Sequence, residues 1–185
     1  MNLLWRTLIV SLRARLRRRI RPLAMDDVGR IRLTVLPTDL DVQRHLNNGR
    51  YLSLFDLGRW DLATRSGFGD VTRTHGWYSV VTAETITFRK SLRLWQRFVL
   101  ETRLVGHDER TLFIEHRAVS DGEVYARAFV RARVLRRRGG AVDVEELFAA
   151  AGWPQRDPEL DPWVNDWASA SALPPSRVPV PSVWP

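Results

Sequence analysis

The sequence predicts an α+β domain in which one long helix packs against one strongly curved antiparallel sheet. Three observations lead there. A strand-like alternation followed by a long helical period occupies residues 30–66. Four further stretches of strand composition follow from Trp77 onward, the last three joined by short turn-like links. Apolar residues make up 44% of 185, enough for a real core, and that length favours one domain flanked by tails.

Taken in order, residues 3 to 20 read as a helix, because Trp5, Leu8, Ile9, Leu12, Leu16 and Ile20 recur at three- and four-residue steps. Arg13, Arg17 and Arg18 lie largely off that stripe. Arginines break the apolar run, so it predicts no membrane-spanning helix. Charge following the apolar stretch and the lack of a small-residue cleavage site make it a poor signal peptide. Two readings stay open. The stripe docks on an anionic membrane surface through residues 1–24, or it packs on the protein's own body or a partner chain with the arginines in water.

Arg30 to Leu36 alternates Ile31, Leu33 and Val35 with Arg32 and Thr34, a first strand closed by Pro37. A helix is expected from about Gly49 to Ser66, capped by Asn47 or Asn48 and buried through Tyr51, Leu54, Phe55, Gly58 and Leu62. Gly67 and Gly69 end it. Strands are expected over Tyr78 to Arg89, Arg97 to Val105, Thr111 to Val119 and Val124 to Leu135, with hairpin links at 106–110 and 120–123. Gly139-Gly140 ends the sheet, and Val144 to Ala151 forms a short helix opened by Asp143. Beyond Gly152 prolines predict that regular structure fades, with 174–185 disordered or draped, although some of Trp153, Trp163, Trp167 and Trp184 should pack on the body or a neighbour. Three segments result: a basic helix (1–25), the α+β domain (26–152) and a Trp/Pro-rich tail (153–185).

Charge is distributed unevenly. Seven of the 29 basic residues and no acid fall within residues 1–25, leaving 22 basic against 21 acidic elsewhere. A near-neutral body with one basic arm argues against nucleic acid as partner. The chain has no cysteine, which excludes disulfides and Cys-ligated zinc. Its histidines, at 45, 75, 107 and 116, show no metal-ligand spacing. No metal or other cofactor is expected.

The stretch from Asp39 to Tyr51 is the densest cluster of small polar side chains, offering carboxylates at Asp39 and Asp41, the His45 imidazole and the Asn47 and Asn48 amides between strand and helix. A plain turn needs one or two such residues.

Asp41-x-x-x-His45-x-Asn47-Asn48-x-x-Tyr51, followed by Leu52, Phe55 and Asp56, resembles the signature of hot-dog-fold thioesterases, in the branch containing 4-hydroxybenzoyl-CoA thioesterase. The resemblance covers roughly residues 28–150. Val35 to Asp41, Arg89 to Leu94 and the Trp-containing C-terminal part more narrowly resemble thioesterase superfamily member six proteins.

The resemblance implies a hot-dog fold and hydrolysis of a fatty or aromatic acyl-CoA, or of an acyl-carrier-protein thioester. Asp41 would be base or nucleophile. Backbone N–H groups near Gly49 to Tyr51 would form the oxyanion site, with Asn47 and Asn48 shaping the helix start. His45 would orient the acyl carbonyl or Asp41, or anchor its loop. Asp56 could supply the carboxylate instead of Asp41, or pair with Arg59. Arg89, Lys90 and Arg93 are the expected CoA phosphate contacts. The resemblance also implies a homodimer or dimer of dimers, acting in the cytoplasm or peripherally on a membrane. A non-catalytic acyl-binding or scaffold protein at a membrane is the competing reading.

Overall fold

The computed structural model describes residues 2–154, 160–174 and 177–182. The elements are α1 (Asn2–Ile20), β1 (Gly29–Thr34), α2 (Asn48–Ser66), α3 (Phe68–Thr74), β2 (Trp77–Phe88), β3 (Arg97–His107), β4 (Leu112–Ser120), β5 (Glu123–Arg136), α4 (Val144–Ala151) and α5 (Pro162–Ala170). One antiparallel sheet runs in the order β1-β3-β4-β5-β2. β3, β4 and β5 therefore neighbour one another in chain order, and only β2 is displaced from the expected succession of four strands. β2 lies beyond β5, so β1 and β2 form the two edges.

The expected long helix and five strands are all present, with ends shifted by no more than two residues. Helix α3 was not anticipated. Gly67, at φ 85°, closes α2 and leads directly into α3, so Gly69 lies inside a helix and terminates nothing. The link between β4 and β5 is a two-residue turn with both Asp121 and Gly122 at positive φ, the geometry that suits the right-handed strand twist.

Helix α2 lies across one sheet face. Leu54, Phe55, Leu100, Ala118, Ala126 and Ala128 are almost fully buried between them. The three alanines let the helix approach closely, and Gly58 takes the approach further. A Cβ there would collide with Thr102 Oγ1 and press on Leu100. Gly58→Ala should therefore destabilise the fold by about 1–3 kcal/mol despite alanine's better helix propensity. The measurement is a lowered urea midpoint at unchanged slope.

The opposite sheet face is also covered. Phe113 and Phe129 pack against Val164 and Ala168 of α5, and Arg131 donates to the Ala168 carbonyl at 2.7 Å. The expectation that regular structure fades after Gly152 thus fails. Proline at the first helical position starts α5, and Leu160 fills the space that a Cβ on Gly106 would occupy. Trp163 meets Phe129 edge-on at 4.6 Å, while Trp153 stacks on Phe68 at 6.2 Å. Trp184 lies outside the described residues. Glu115, also on this face, is buried beside Arg103, Arg117 and Arg127. Burial pushes its carboxyl up, but hydrogen bonds from Arg117 and Arg127 outweigh that and hold it below the usual glutamate range.

Helix α1 packs against α2, but with a face opposite to its apolar stripe. Val10 and Ala14 are buried, whereas Trp5, Leu8, Ile9, Leu12, Leu16 and Ile20 are exposed. The idea that the stripe covers the protein's own body is therefore wrong. Small residues allow close helix contact, and the inward arginines find polar partners. Arg6 donates to the Thr34 carbonyl at 2.7 Å, Arg17 to the Arg30 carbonyl at 3.3 Å, and Arg18 pairs with Asp70. No helix among the described residues is long and apolar enough to cross a membrane.

Candidate active site

The polar stretch folds into a braced loop ahead of α2. Asp39 ends a short 3-10 turn that begins at Pro37. Its side chain is fully buried, accepts the Leu36 N–H at 2.9 Å, and lies 2.8 Å from Arg6 and 3.3 Å from Arg50. Its carbonyl accepts the Asn47 N–H at 2.9 Å. Leu40 and Leu46 form a bridge, as do His45 and Arg93. The loop between is pinned at both ends, and its tip turns through Arg44 at φ 62°.

Asp41 begins this tip. Its Oδ1 accepts the Gln43 N–H at 2.9 Å, and its Oδ2 lies 3.3 Å from His45 Nδ1. The carboxylate is 19% exposed, so it is held in place yet reachable by solvent. His45 Nδ1 also faces the Leu46 carbonyl at 3.3 Å, and Nε2 lies 2.8 Å from Gln43 Oε1. Acceptors beside both ring nitrogens hold the imidazole between Asp41 and Gln43. Asp41 and His45 are thus brought together in one five-residue loop.

Asn47 caps α2, its side chain accepting the Gly49 N–H at 2.9 Å. The Arg50 N–H donates to the Asn47 carbonyl at 2.9 Å. Asn48, the first helical residue, is exposed. Tyr51 is buried in the core, edge-on to Phe88 at 5.2 Å. Burial raises its phenol to about 12, against a hydrogen bond with the Leu92 backbone that lowers it.

Asp56 sits two turns further along α2, on the side facing β2. It pairs with Arg59, which also approaches Glu84 and His116 Nε2, each at 3.3 Å. Asp56 and Arg59 line a cavity of about 680 Å³ with Trp60, Leu62, Phe68 and Trp77. Asp41 is not among its lining residues. Geometry thus separates this cavity from the loop carboxylate, and the loop is the better chemical candidate because it joins an accessible carboxylate to a helix start. Arg89 and Lys90 pair with Glu123. The hydrogen bond from Lys90 and its charge hold the Glu123 carboxyl below its ordinary range. Arg93 is exposed beside the loop, through its backbone bridge to His45. Among the described residues no group of three acids or histidines is placed to hold a metal ion.

Sequence reasoning missed Asp39 as the loop's buried anchor, along with its partners Arg6 and Arg50. It also missed His116. That ring is fully buried, stacks on Phe55 at 5.0 Å and lies 2.9 Å from Thr102 Oγ1. Burial first, and then the Arg59 charge, hold its pKa well below the usual value. The unfolded chain would protonate it near about pH 6.5. A depressed folded-state value means that the unfolded state binds the proton first. Stability should fall as pH drops below about 6.5, with a slope approaching about 1.4 kcal/mol per pH unit. Urea midpoints between about pH 7.5 and 5 check this, and His116→Gln should flatten the profile across that window.

Comparison with known proteins agrees with this architecture. The model of the thioesterase-like superfamily matches residues 35–168. Protein THEM6 of Danio rerio is 35% identical over 142 residues, spanning 75% of this chain and 69% of the relative. Protein THEM6 of Xenopus laevis is 38% identical over 99 residues, spanning 54% of this chain and about half, 48%, of the frog protein. Among solved structures, the probable thioesterase YbaW from Escherichia coli superposes with a TM-score of 0.63 at 23% identity, covering 66% of this chain and 95% of that one. A DHNA-CoA thioesterase from Staphylococcus aureus superposes at 0.59 and 13% identity, covering 79% and 96%. These structural likenesses establish the fold, an α+β hot-dog arrangement. With the family match running from Val35, just after β1, into α5, the chain belongs to the thioesterase-like superfamily.

Proposed function

We propose that this protein hydrolyses the thioester of a fatty or aromatic acyl-CoA to the free acid and CoA. The observation that carries the reading is Asp41, a carboxylate fixed by the Gln43 N–H and His45 yet open to solvent, on the loop that leads into the capped start of α2. A thioester needs its carbonyl polarised and a water or nucleophile delivered to it. As a base, Asp41 takes a proton from water, whose oxygen bonds to the carbonyl carbon. The C–S bond then breaks, and the thiolate recovers the proton. As a nucleophile, Asp41 bonds the carbonyl carbon directly, expels the thiolate and leaves a mixed anhydride for water to open.

The start of α2 supplies the positive end of its dipole to the developing oxyanion. The Gly49 N–H now bonds Asn47, so an acyl oxygen would compete with that side chain for it. His45, whose Nδ1 lies 3.3 Å from Oδ2, steadies the Asp41 carboxylate. Arg93, exposed beside the loop, is positioned for a CoA phosphate. Arg89 and Lys90 would first have to exchange Glu123 for it.

The second sheet edge supports a homodimer as part of this reading. β2 is 12 residues long, and among the described residues only β5 pairs with it. Trp60, Tyr78, Val81 and Phe88 lie 40–57% exposed on or beside it. An unprotected apolar edge of this length favours pairing with another copy. A two-fold axis reverses the partner's α2, which would carry its Asp41 loop toward the cavity beside Asp56. Light scattering should give the mass of a dimer.

The competing reading, an acyl-binding protein without turnover, draws on the separation between cavity and Asp41 within one chain. A panel of acyl-CoAs decides between them. Thiol release that saturates with at least one chain length supports hydrolysis. Saturable binding with no thiol released across the panel supports the second reading.

A further inference from the structure

We infer that the outward face of α1 is a preformed docking surface for an anionic lipid bilayer. Leu8, Leu12 and Leu16 form one row along the helix, and Trp5 and Ile9 widen it. These five side chains are 44–67% exposed. The row lies two positions from Val10, about 200° around the helix, so it points directly away from the packed face. Isolated exposed leucines are ordinary, but a continuous band of this kind on one helix marks an interaction surface.

The charge pattern selects the occupant. The arginines of α1 divide by face. Arg6, Arg17 and Arg18 turn inward to Asp39, the Arg30 carbonyl and Asp70. Arg13 and Arg15 flank the apolar band on its two sides, Arg19 continues it, and all three are exposed. No acid occurs in residues 1–25. An apolar band edged by arginines matches a bilayer interface, where the leucines enter the acyl boundary and the guanidinium heads reach lipid phosphates. A second copy of the same helix fits poorly, because two such faces would bring six arginines together with no counter-charge.

Its attachment makes this surface a rigid platform. Besides the inward arginines, Arg65 of α2 donates to the Arg21 carbonyl at 2.9 Å, fixing the helix's C-terminal end. The N-terminal end is held to Asp39, two residues from Asp41. The surface lies along β1, opposite the β2 edge. It does not depend on the proposed thioesterase activity.

The test is co-sedimentation of the full chain with vesicles of phosphatidylcholine alone or mixed with phosphatidylglycerol. Wild type is expected to pellet with the anionic vesicles, and added salt should weaken the binding. Leu8→Glu/Leu12→Glu should cut the bound fraction about tenfold or more while leaving circular dichroism and acyl-CoA turnover unchanged. Arg13→Gln/Arg15→Gln/Arg19→Gln keeps the apolar band and should lose the preference for phosphatidylglycerol. Wild type that stays in the supernatant with both vesicle types overturns the inference. So does equal binding to both types, or light scattering in which the glutamate pair dissolves an oligomer without altering vesicle binding.

Discussion

Asp41→Asn should lower the turnover of acyl-CoA by about 10²- to 10⁴-fold, the range of a positioned acid–base group. Asparagine keeps the size of the side chain and an oxygen for the Gln43 N–H. It loses the basicity and nucleophilicity of a carboxylate. The loop should persist, because its anchors are the Leu40–Leu46 and His45–Arg93 bridges and the buried Asp39. Thiol release under saturating substrate measures the loss, and an unchanged thermal midpoint separates chemistry from folding. A full rate in Asp41→Asn would move the catalytic role elsewhere. Asp56→Asn is then the informative variant, since Asp56 lies at the cavity with Arg59.

Asp39→Ala should be the most destabilising single change near the site, costing about 3–5 kcal/mol. Arg6 is 9% exposed, and its Nη1 has no hydrogen-bond partner. Deleting Asp39 strands that buried guanidinium and orphans the Leu36 N–H. Neither group can turn readily to water. The double variant Arg6→Ala/Asp39→Ala should recover part of the loss, because the stranded charge goes with its partner. A urea double-mutant cycle reads the coupling directly. Recovery would show that α1 is fastened to the Asp41 loop by this pair rather than by Val10 and Ala14 alone.

Much of the fold was legible because alternation and helical period are local. Arg30 to Leu36 and the hairpin at Asp121-Gly122 announce themselves within a few residues. The start of α2 did too, since Asn47 is a capping residue ahead of an apolar period. Three features were not legible, and each depends on a distant partner. The period of α1 showed an apolar stripe, but Val10 and Ala14, the small residues beside it, decide which face meets α2. Helix α5 was hidden by its prolines, and its docking rests on Gly106 accepting Leu160 from over fifty residues away. Asp39 looked like one of several loop acids. Its burial requires Arg6, which arrives from the other end of the first helix. In the site, the motif showed which side chains cluster, whereas the cavity on the β2 side of α2 arises only when α2, α3 and β2 meet.

The open edge of β2 carries a consequence for avidity. Joining two copies along that strand antiparallel, as every other pair in the sheet is joined, requires a dyad normal to the sheet. Such a dyad leaves both α2 helices, and therefore both α1 helices, on the same side. A planar surface would then be gripped at two separated points. Once one helix is seated, the second meets the surface at a high effective concentration, so two individually weak contacts multiply. Disrupting the β2 pairing should thus release the protein from a bilayer even with every residue of α1 intact.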